Sequence, residues 1–479
     1  MSGLPKDQVL GQRTFGALLL GYYNDTRNLI YAGNLGSGFD EETLLKLKKK
    51  LEDIRTNISP LTNAVELTAS ITWVKPEVVV EAKFSEWTRA GRLRAPVFLR
   101  LRNDKTETSV YPVKTSKTNA KLQEKTNKIQ TDSLSYILEQ LVESRNKTII
   151  EVGEHKISLN NLDREFWPRT VESGKLNKRD FITYLVKISP FLLPHLKNRP
   201  LTLSRYPNGI YGQHFFQKHY WPVPAFVDTV LLSFHDAPSR EYLMCNNLST
   251  LIWLGQIANI ELHTWFSRIR PGIDFKVKTT TESADFFTNY PDFIIFDIDP
   301  YIYSGSETFG AEPELNRAAF EKTCQIALKM KEVLDHLSLP SFVKTSGQTG
   351  LHIFIPIFRQ LDFDSTLSSA EIISRFILNQ NLSEVSIEWT VEKRKDKIFI
   401  DYKQNARGKT LASIYSPRPS PQARVSIPLR WTELNKVYPT DFTIMTIPDR
   451  LAKVGDLWGN ILEAKVDIVN MLSKIKSHG

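Results

Sequence analysis

Phe293-Ile294-Ile295-Phe296-Asp297-Ile298-Asp299-Pro300 decides how the second half of this chain folds. Its first four residues form a continuous apolar run, typical of a strand covered on both faces. Side chains alternate faces along a strand, so Asp297 and Asp299 project to the same side. They stand where the apolar run ends, at the rim of a sheet. Two carboxylates side by side repel, and an unpaired buried charge is very costly. A divalent cation resolves both problems, and hard oxygen donors suit Mg2+ or Mn2+ with substrate phosphates completing the shell. An isolated Asp-x-Asp is more often a solvated strand end, so other residues must decide.

A third acid, Asp401, follows Lys397-Ile398-Phe399-Ile400, another apolar strand. Three carboxylates from strand ends can hold two metals about 3.5–4 Å apart, which activates an attacking oxygen and stabilises a leaving pyrophosphate. Between these acids lies Lys344-Thr345-Ser346-Gly347-Gln348-Thr349-Gly350-Leu351-His352, a glycine-containing loop that enters a strand. Its backbone N–H groups can form an anion-binding concavity, with His352 donating to a phosphate oxygen. Alone, such a loop is more often a turn and such a histidine a core residue. Arg394, Arg407, Lys409 and Arg418 cluster in sequence around Asp401. They suit neutralisation of a triphosphate, or else form a solvated basic face. Upstream, Pro207-Asn208-Gly209 signals a tight turn before Phe215-Phe216-Gln217-Lys218-His219. On an exposed loop the two rings would stack on bases, worth roughly 1–3 kcal/mol per base. Core packing is an equal alternative.

The whole chain, 479 residues with 41% hydrophobic and 24% charged, has an ordinary globular composition and the length of roughly two to four domains. That excludes a mainly disordered or collagen-like chain. No apolar run is long enough to span a bilayer and no secretory leader is recognisable, so no membrane partner is expected. Cys245 and Cys324 are too few for a disulfide framework or a multi-cysteine zinc site, and an intracellular, reducing compartment is expected. The 62 Lys+Arg against 53 Asp+Glu give a net charge of +9, which fits a polyanionic partner or simply a basic protein.

Three regions are expected. In the first, residues 1–105, positions 11–105 alternate short apolar runs with glycine turns, as in Ala17-Leu18-Leu19-Leu20-Gly21-Tyr22. They are interrupted by one helix capped by Asp40, with Leu44, Leu47, Leu51 and Ile54 on one face. This pattern predicts a small all-β OB-fold barrel with one helix. In residues 106–131, Lys114, Lys117, Lys121, Lys125 and Lys128 outweigh Glu107 and Glu124, as in a flexible basic linker. Residues 132–479 alternate strands and helices, including an amphipathic helix over 314–337, and predict an α/β (α+β) domain with mixed sheets.

These segments resemble the polymerase domain of bacterial DNA ligase D, within the archaeo-eukaryotic primase superfamily. The resemblance spans roughly residues 150–445 and is carried by Arg199-Pro200-Leu201-Thr202-Leu203-Ser204-Arg205-Tyr206-Pro207-Asn208-Gly209, Phe215-Phe216-Gln217-Lys218-His219, Ile260-Glu261-Leu262-His263, Phe296-Asp297-Ile298-Asp299-Pro300, Lys344-Thr345-Ser346-Gly347, Gln404-Asn405-Ala406-Arg407-Gly408-Lys409-Thr410 and Pro428-Leu429-Arg430-Trp431. It implies a primase-like fold and template-directed nucleotidyl transfer that fills gaps and extends ends during DNA repair by non-homologous end joining. It further implies two Mn2+ or Mg2+ ions and nucleoside triphosphates, NTP or dNTP. The family's metal ligands and catalytic carboxylates fall on Asp297, Asp299 and Asp401. Its nucleotide contacts fall on Ser346, His352, Arg394, Gln404, Lys409 and Arg418. Contacts to a downstream 5′-phosphate fall on Arg164 and Lys178, and template stacking on Phe215 or Phe216. Thr349 stands where some relatives carry a lysine, which implies weaker phosphate neutralisation.

The first region resembles the C-terminal OB-fold of an ATP-dependent DNA ligase of the same type, through Phe15-Gly16-Ala17-Leu18-Leu19-Leu20-Gly21-Tyr22-Tyr23, Val78–Thr88 and Arg92–Arg102. No Lys-x-Asp-Gly occurs. The resemblance therefore implies that the adenylated lysine and its domain are missing, through a split ligase or a truncated reading of a longer gene, and that this chain alone does not seal nicks. DNA ends or gapped duplex with a 5′-phosphate are the expected partners, with Ku and a separate ligase adenylation domain as candidates, in the cytoplasm at the bacterial nucleoid. Two other functions fit the sequence: a non-catalytic adaptor that bridges DNA ends, and a primase that needs no primer.

Overall fold

The computed structural model describes residues 4–5, 16–23, 28–62, 71–84, 92–93, 96–102, 133–168, 174–234, 237–270, 272, 274–277, 283–300, 315–379, 384–390, 394 and 397–469. The linker expected over 106–131 lies outside them. The chain divides into two compact units, Met1–Gln130 and Thr131–Gly479.

In the first unit, the strands Leu18–Tyr23 and Leu29–Leu35 pair antiparallel, as do Val80–Lys83 and Val97–Leu101. The strand Ile71–Val74 pairs with both Leu4–Pro5 and Arg55–Thr56. One helix, Glu41–Glu52, starts where Asp40 Oδ1 accepts the Thr43 N–H at 2.7 Å. Leu47 and Leu51 from its apolar face are fully buried with Leu18, Leu35 and Val74, while Leu45 on the other face is exposed. Among the described residues, short antiparallel pairs and one helix are consistent with an OB-like domain, as the alternating runs predict.

The second unit is mixed α/β, built on two six-stranded sheets. One runs in the order Asp228–Phe234, Ala237–Met244, Pro200–Arg205, Asn259–Thr264, Leu411–Ala412, with Phe215–Gln217 paired to Pro200–Arg205. The other runs Val385–Ser386, Ile398–Asp401, Phe293–Pro300, Leu351–Pro356, Phe342–Thr345, Pro428–Leu429. Its pairs are antiparallel except the first, which is parallel. Ile294, Ile295 and Phe296 are wholly buried, so the run that predicts a two-sided strand is one. The amphipathic helix expected over 314–337 spans Arg317–His336, and its Phe320, Ala327, Met330 and Leu334 enter the core. Phe215 and Phe216 lie on a strand and not on a loop: the turn at Pro207–Gly209 folds the chain back so that Phe216 pairs with Ser204.

Ordered structure continues beyond the stretch that carries the family resemblance. Asp456 accepts from Tyr415 Oη at 2.7 Å and meets His195 Nε2 at 2.6 Å. Lys465 Nζ lies 2.7 Å from Asp292 Oδ1 and also bonds Asp274. Arg199 and Arg268 also pair with Asp292. Burial pushes the Asp292 carboxyl up, but Arg199, Lys465 and Arg268 outweigh it and hold the group well below the usual range. Among the described residues, no helix is long and apolar enough to cross a membrane.

Candidate active site

Register places four polar side chains in one row across the second sheet. Asp401 is opposite Asp297, Asp297 is opposite His352, and His352 is opposite Lys344. Directly opposed residues of antiparallel strands share a face, with Cβ atoms about 4.5–5.5 Å apart. All four are buried, at 6%, 8%, 2% and 1% exposure in that order. Asp299, two residues along, points to the same face. It is half-buried and opposite Phe399. Gly350 makes room for it, because a Cβ there would lie 2.6 Å from Asp299 Oδ1 and 2.2 Å from the Ile298 carbonyl.

Burial pushes the Asp401 carboxyl above its ordinary range; bonds from the Lys403 N–H (2.9 Å) and Gln404 Nε2 (3.0 Å), with Lys409 and Arg394 nearby, offset this only in part. His352 Nε2 lies 3.1 Å from Asp297 Oδ1. Burial, then Lys344, Arg418 and His263, hold the imidazole well below its usual pKa. Burial and Arg418 likewise push the Lys344 ammonium far below the usual lysine range. Lys344 Nζ donates to Ala412 O at 2.9 Å and to Ser426 Oγ.

Among the described residues no group of three or more His, Cys, Asp or Glu is gathered into a metal-holding cluster. The donor chemistry nevertheless fits a hard cation. Two desolvated carboxylates face each other, one of them raised by burial, and a divalent ion with substrate oxygens would relieve both.

The loop after Phe342–Thr345 is organised from within. Ser346 Oγ accepts the N–H groups of Gln348 and Gly350, each at 3.1 Å. Those two amides therefore do not form the open anion concavity that the sequence predicts. Gly347, at φ +78°, permits a close approach, since a Cβ would lie 2.6 Å from Arg418 Cγ. Arg418 Nη1 donates to Ser346 O at 3.2 Å, and its Nε lies 2.8 Å from Glu261 Oε1. Glu261 also accepts from Ser204 Oγ at 2.5 Å and from Tyr206 Oη at 3.2 Å. Burial raises Glu261, but Arg418, His263 and Ser204 outweigh it and hold the carboxyl well below its usual range.

Arg394 lies over Phe399 at 3.9 Å from the ring centroid and donates to the Trp389 carbonyl. Lys409 is exposed. Arg407 pairs with Asp285 at 2.9 Å and covers Phe234, a brace more than an open cation. Away from the acidic row, Arg164 Nη1 binds Asn208 Oδ1 (2.6 Å) and Pro207 O (3.1 Å), and Lys178 Nζ binds Asn160 O (3.0 Å). Burial, with Arg164 and Arg205 close by, lowers Lys178 to about 8. Phe216 is 56% exposed, its ring edge-on to His263 at 5.9 Å, whereas Phe215 is half-buried. Sequence reasoning did not single out Lys344, Glu261, Arg205 or Asn405. The signal for Glu261 was an acid inside the apolar strand Ile260-Glu261-Leu262; Lys344 and Asn405 stood in segments that carry the resemblance but were given no role of their own.

Two family models match the chain. The family described as LigD, primase-polymerase domain, matches residues 177–458, and ATP dependent DNA ligase C terminal region matches residues 11–105. The bifunctional non-homologous end joining protein LigD of Bacillus subtilis is 30% identical over 302 residues, 63% of this chain and 43% of that protein. The multifunctional non-homologous end joining protein LigD of Pseudomonas aeruginosa is 28% identical over 461 residues, 94% of this chain and 48% of that protein. The chain thus spans about half the length or less of these relatives. The polymerase domain from Mycobacterium tuberculosis ligase D, solved in complex with DNA, has the same fold, with a TM-score of 0.54 at 23% identity over 65% of this chain and 99% of that one. With more than half of its residues matched, this chain belongs to the LigD primase-polymerase domain family.

Proposed function

We propose that this chain is a template-directed nucleotidyltransferase that fills gaps and extends DNA ends in non-homologous end joining. The observation that carries the reading is the buried row Asp401–Asp297–His352–Lys344, with the Asp299 carboxylate on the same face and Arg394, Lys409 and Arg418 around it. Asp297, Asp299 and Asp401 are assigned to divalent cations, Mn2+ or Mg2+. When bound, such ions lower the pKa of a primer 3′-hydroxyl and neutralise charge on the phosphates. The chain's own groups do the rest. His352 stands beside Asp297, Gln404 and the Lys403 amide hold Asp401, and Arg418, kept in place by Glu261, faces the Ser346 loop where the triphosphate is assigned.

Arg164 and Lys178 are assigned to the 5′-phosphate across a gap, and Phe216, the more exposed of its pair, to the template base. Primer extension on a gapped duplex tests the reading. Templated addition by the parent chain and loss of it in Asp297→Ala are expected. No incorporation with any nucleotide and metal by the parent chain would leave an end-bridging role instead.

A further inference from the structure

Tyr211, Phe216 and Trp221 leave three large rings in water within one short segment, at 74%, 56% and 67% exposure. A lone exposed ring is ordinary. What distinguishes Trp221 is the residue before it and the charge beside that residue. Tyr220 is fixed, with its ring edge-on to Trp253 at 5.7 Å and the Arg205 guanidinium 4.5 Å from its centroid. Arg205 is the third member of the basic group with Arg164 and Lys178, since Arg164 and Arg205 both act electrostatically on Lys178.

The three cations are held only by neutral oxygens. Arg164 uses Pro207 O and Asn208 Oδ1, Lys178 uses Asn160 O, and Arg205 uses Ile257 O (2.9 Å) and Gln217 Oε1 (2.9 Å). Among the described residues no carboxylate pairs with any of them. An uncompensated group of this kind suits a phosphate, whose charge the three side chains can share. The base attached to that phosphate then needs an apolar face within a nucleotide's reach. Trp221, one residue beyond the ring that carries Arg205, supplies a rigid indole with few rotatable bonds. Phe216 serves a different place, because its ring contacts His263 near Glu261.

We propose that Trp221 is a stacking platform for the 5′-terminal base of the downstream DNA strand, whose phosphate lies on Arg164, Lys178 and Arg205. The proposal rests on the gap-filling reading above and adds a contact to it.

The test uses the full chain and a gapped duplex with 2-aminopurine as the 5′-terminal base of the downstream strand, with and without the 5′-phosphate. Stacking quenches this fluorophore. The parent chain is expected to quench it and to prefer the phosphorylated duplex. Trp221→Ala is expected to lose the quench and about 5- to 100-fold in affinity, with an unchanged slope of log affinity against log salt, because no phosphate contact is removed. Lys178→Ala is expected to flatten that slope by about one charge. Trp221→Phe, which keeps an aromatic face, is expected to keep most of the quench. If the parent prefers the 5′-phosphate while Trp221→Ala quenches and binds as the parent does, the platform is refuted and the phosphate site stands. If the parent shows no preference for the phosphate, the phosphate site and the platform fall together.

Discussion

Asp297 and Asp401 are directly opposed residues of neighbouring antiparallel strands, both buried and both on one face of the sheet. Folding therefore brings two like charges together in a desolvated place, a poor arrangement for stability alone. Asp401 carries the mark of this, a carboxyl held above its ordinary range by burial. A positive ligand would relieve such a pair.

Asp401→Asn is expected to separate activity from stability. Loss of a metal ligand worth several kcal/mol should slow incorporation by roughly a thousandfold or more. Because the folded carboxyl is raised, its proton is held more tightly in the folded chain, so ionisation penalises the fold as pH rises through and above about 4. The asparagine has no such penalty, and in metal-free buffer the variant should melt no lower than the parent. Added Mn2+ should raise the melting temperature of the parent by mass action and leave that of the variant nearly unmoved. A variant with a parent-like extension rate would remove Asp401 from the site.

Glu261 and Arg418 form the next pair. Glu261→Ala leaves a mostly buried guanidinium without its carboxylate, and breaking such a pair costs about 3–5 kcal/mol. Single-nucleotide kinetics should show KM for the nucleotide rising more than kcat falls. The Glu261 carboxyl is depressed in the fold, so its contribution is complete above the ordinary carboxylate range and is lost as pH falls from about 5. Melting curves at pH 7 and pH 4 should show a larger acid loss in the parent than in Glu261→Gln.

Lys178 gives a dependence in the alkaline direction. Its ammonium, lowered to about 8, loses its charge between neutrality and pH 9. The advantage of a 5′-phosphorylated gap over an unphosphorylated one should shrink over that interval, and Lys178→Arg should flatten the profile. The sign for stability is opposite: a lowered lysine penalises the fold while charged, so its contribution improves as pH rises from about 8 towards 10.5. Equal preference at pH 6.5 and pH 9 in the parent chain would count against a role for this amine.

Lys465 lies beyond residue 458, where the family match ends, yet it reaches into the domain to Asp274 and Asp292. Lys465→Met is expected to cost about 3–5 kcal/mol, because two buried carboxylates lose one of their cations. A chain ending at residue 458 should melt well below the full chain, as thermal unfolding would show. Equal melting would mean that Arg199 and Arg268 suffice.

The sheet that bears the acids was legible in the sequence because both strands announce themselves as apolar runs ending in Asp, and alternation then fixes their common face. The helix Arg317–His336 was legible for the same kind of reason, a 3.6-residue period. Pairing order was not legible, since local periodicity carries no information about which strand lies beside which. The expectation that Phe215 and Phe216 stand on a loop failed because a three-residue strand has no pattern of its own and is made by its partner, Pro200–Arg205. The Ser346 loop was placed correctly, but a hydroxyl that turns back on its own amides cannot be foreseen from spacing. Lys344 was hidden because a buried lysine reads as a surface residue until the neighbours that solvate it are known.

One buried amide has a mechanical consequence. Asn405 accepts the Ile295 N–H on Oδ1 at 2.9 Å and returns Nδ2 to Ile295 O at 2.7 Å and to Tyr402 O at 2.7 Å. Its side chain thus imitates a peptide group and continues the ladder where the strand Ile398–Asp401 has stopped. In a sheet, sliding one residue turns a side chain to the opposite face. Asn405 is therefore a clasp on alignment: while it is shut, Asp401 can only look towards Asp297, and a molecule whose clasp has sprung could remain folded with its two acids turned back to back.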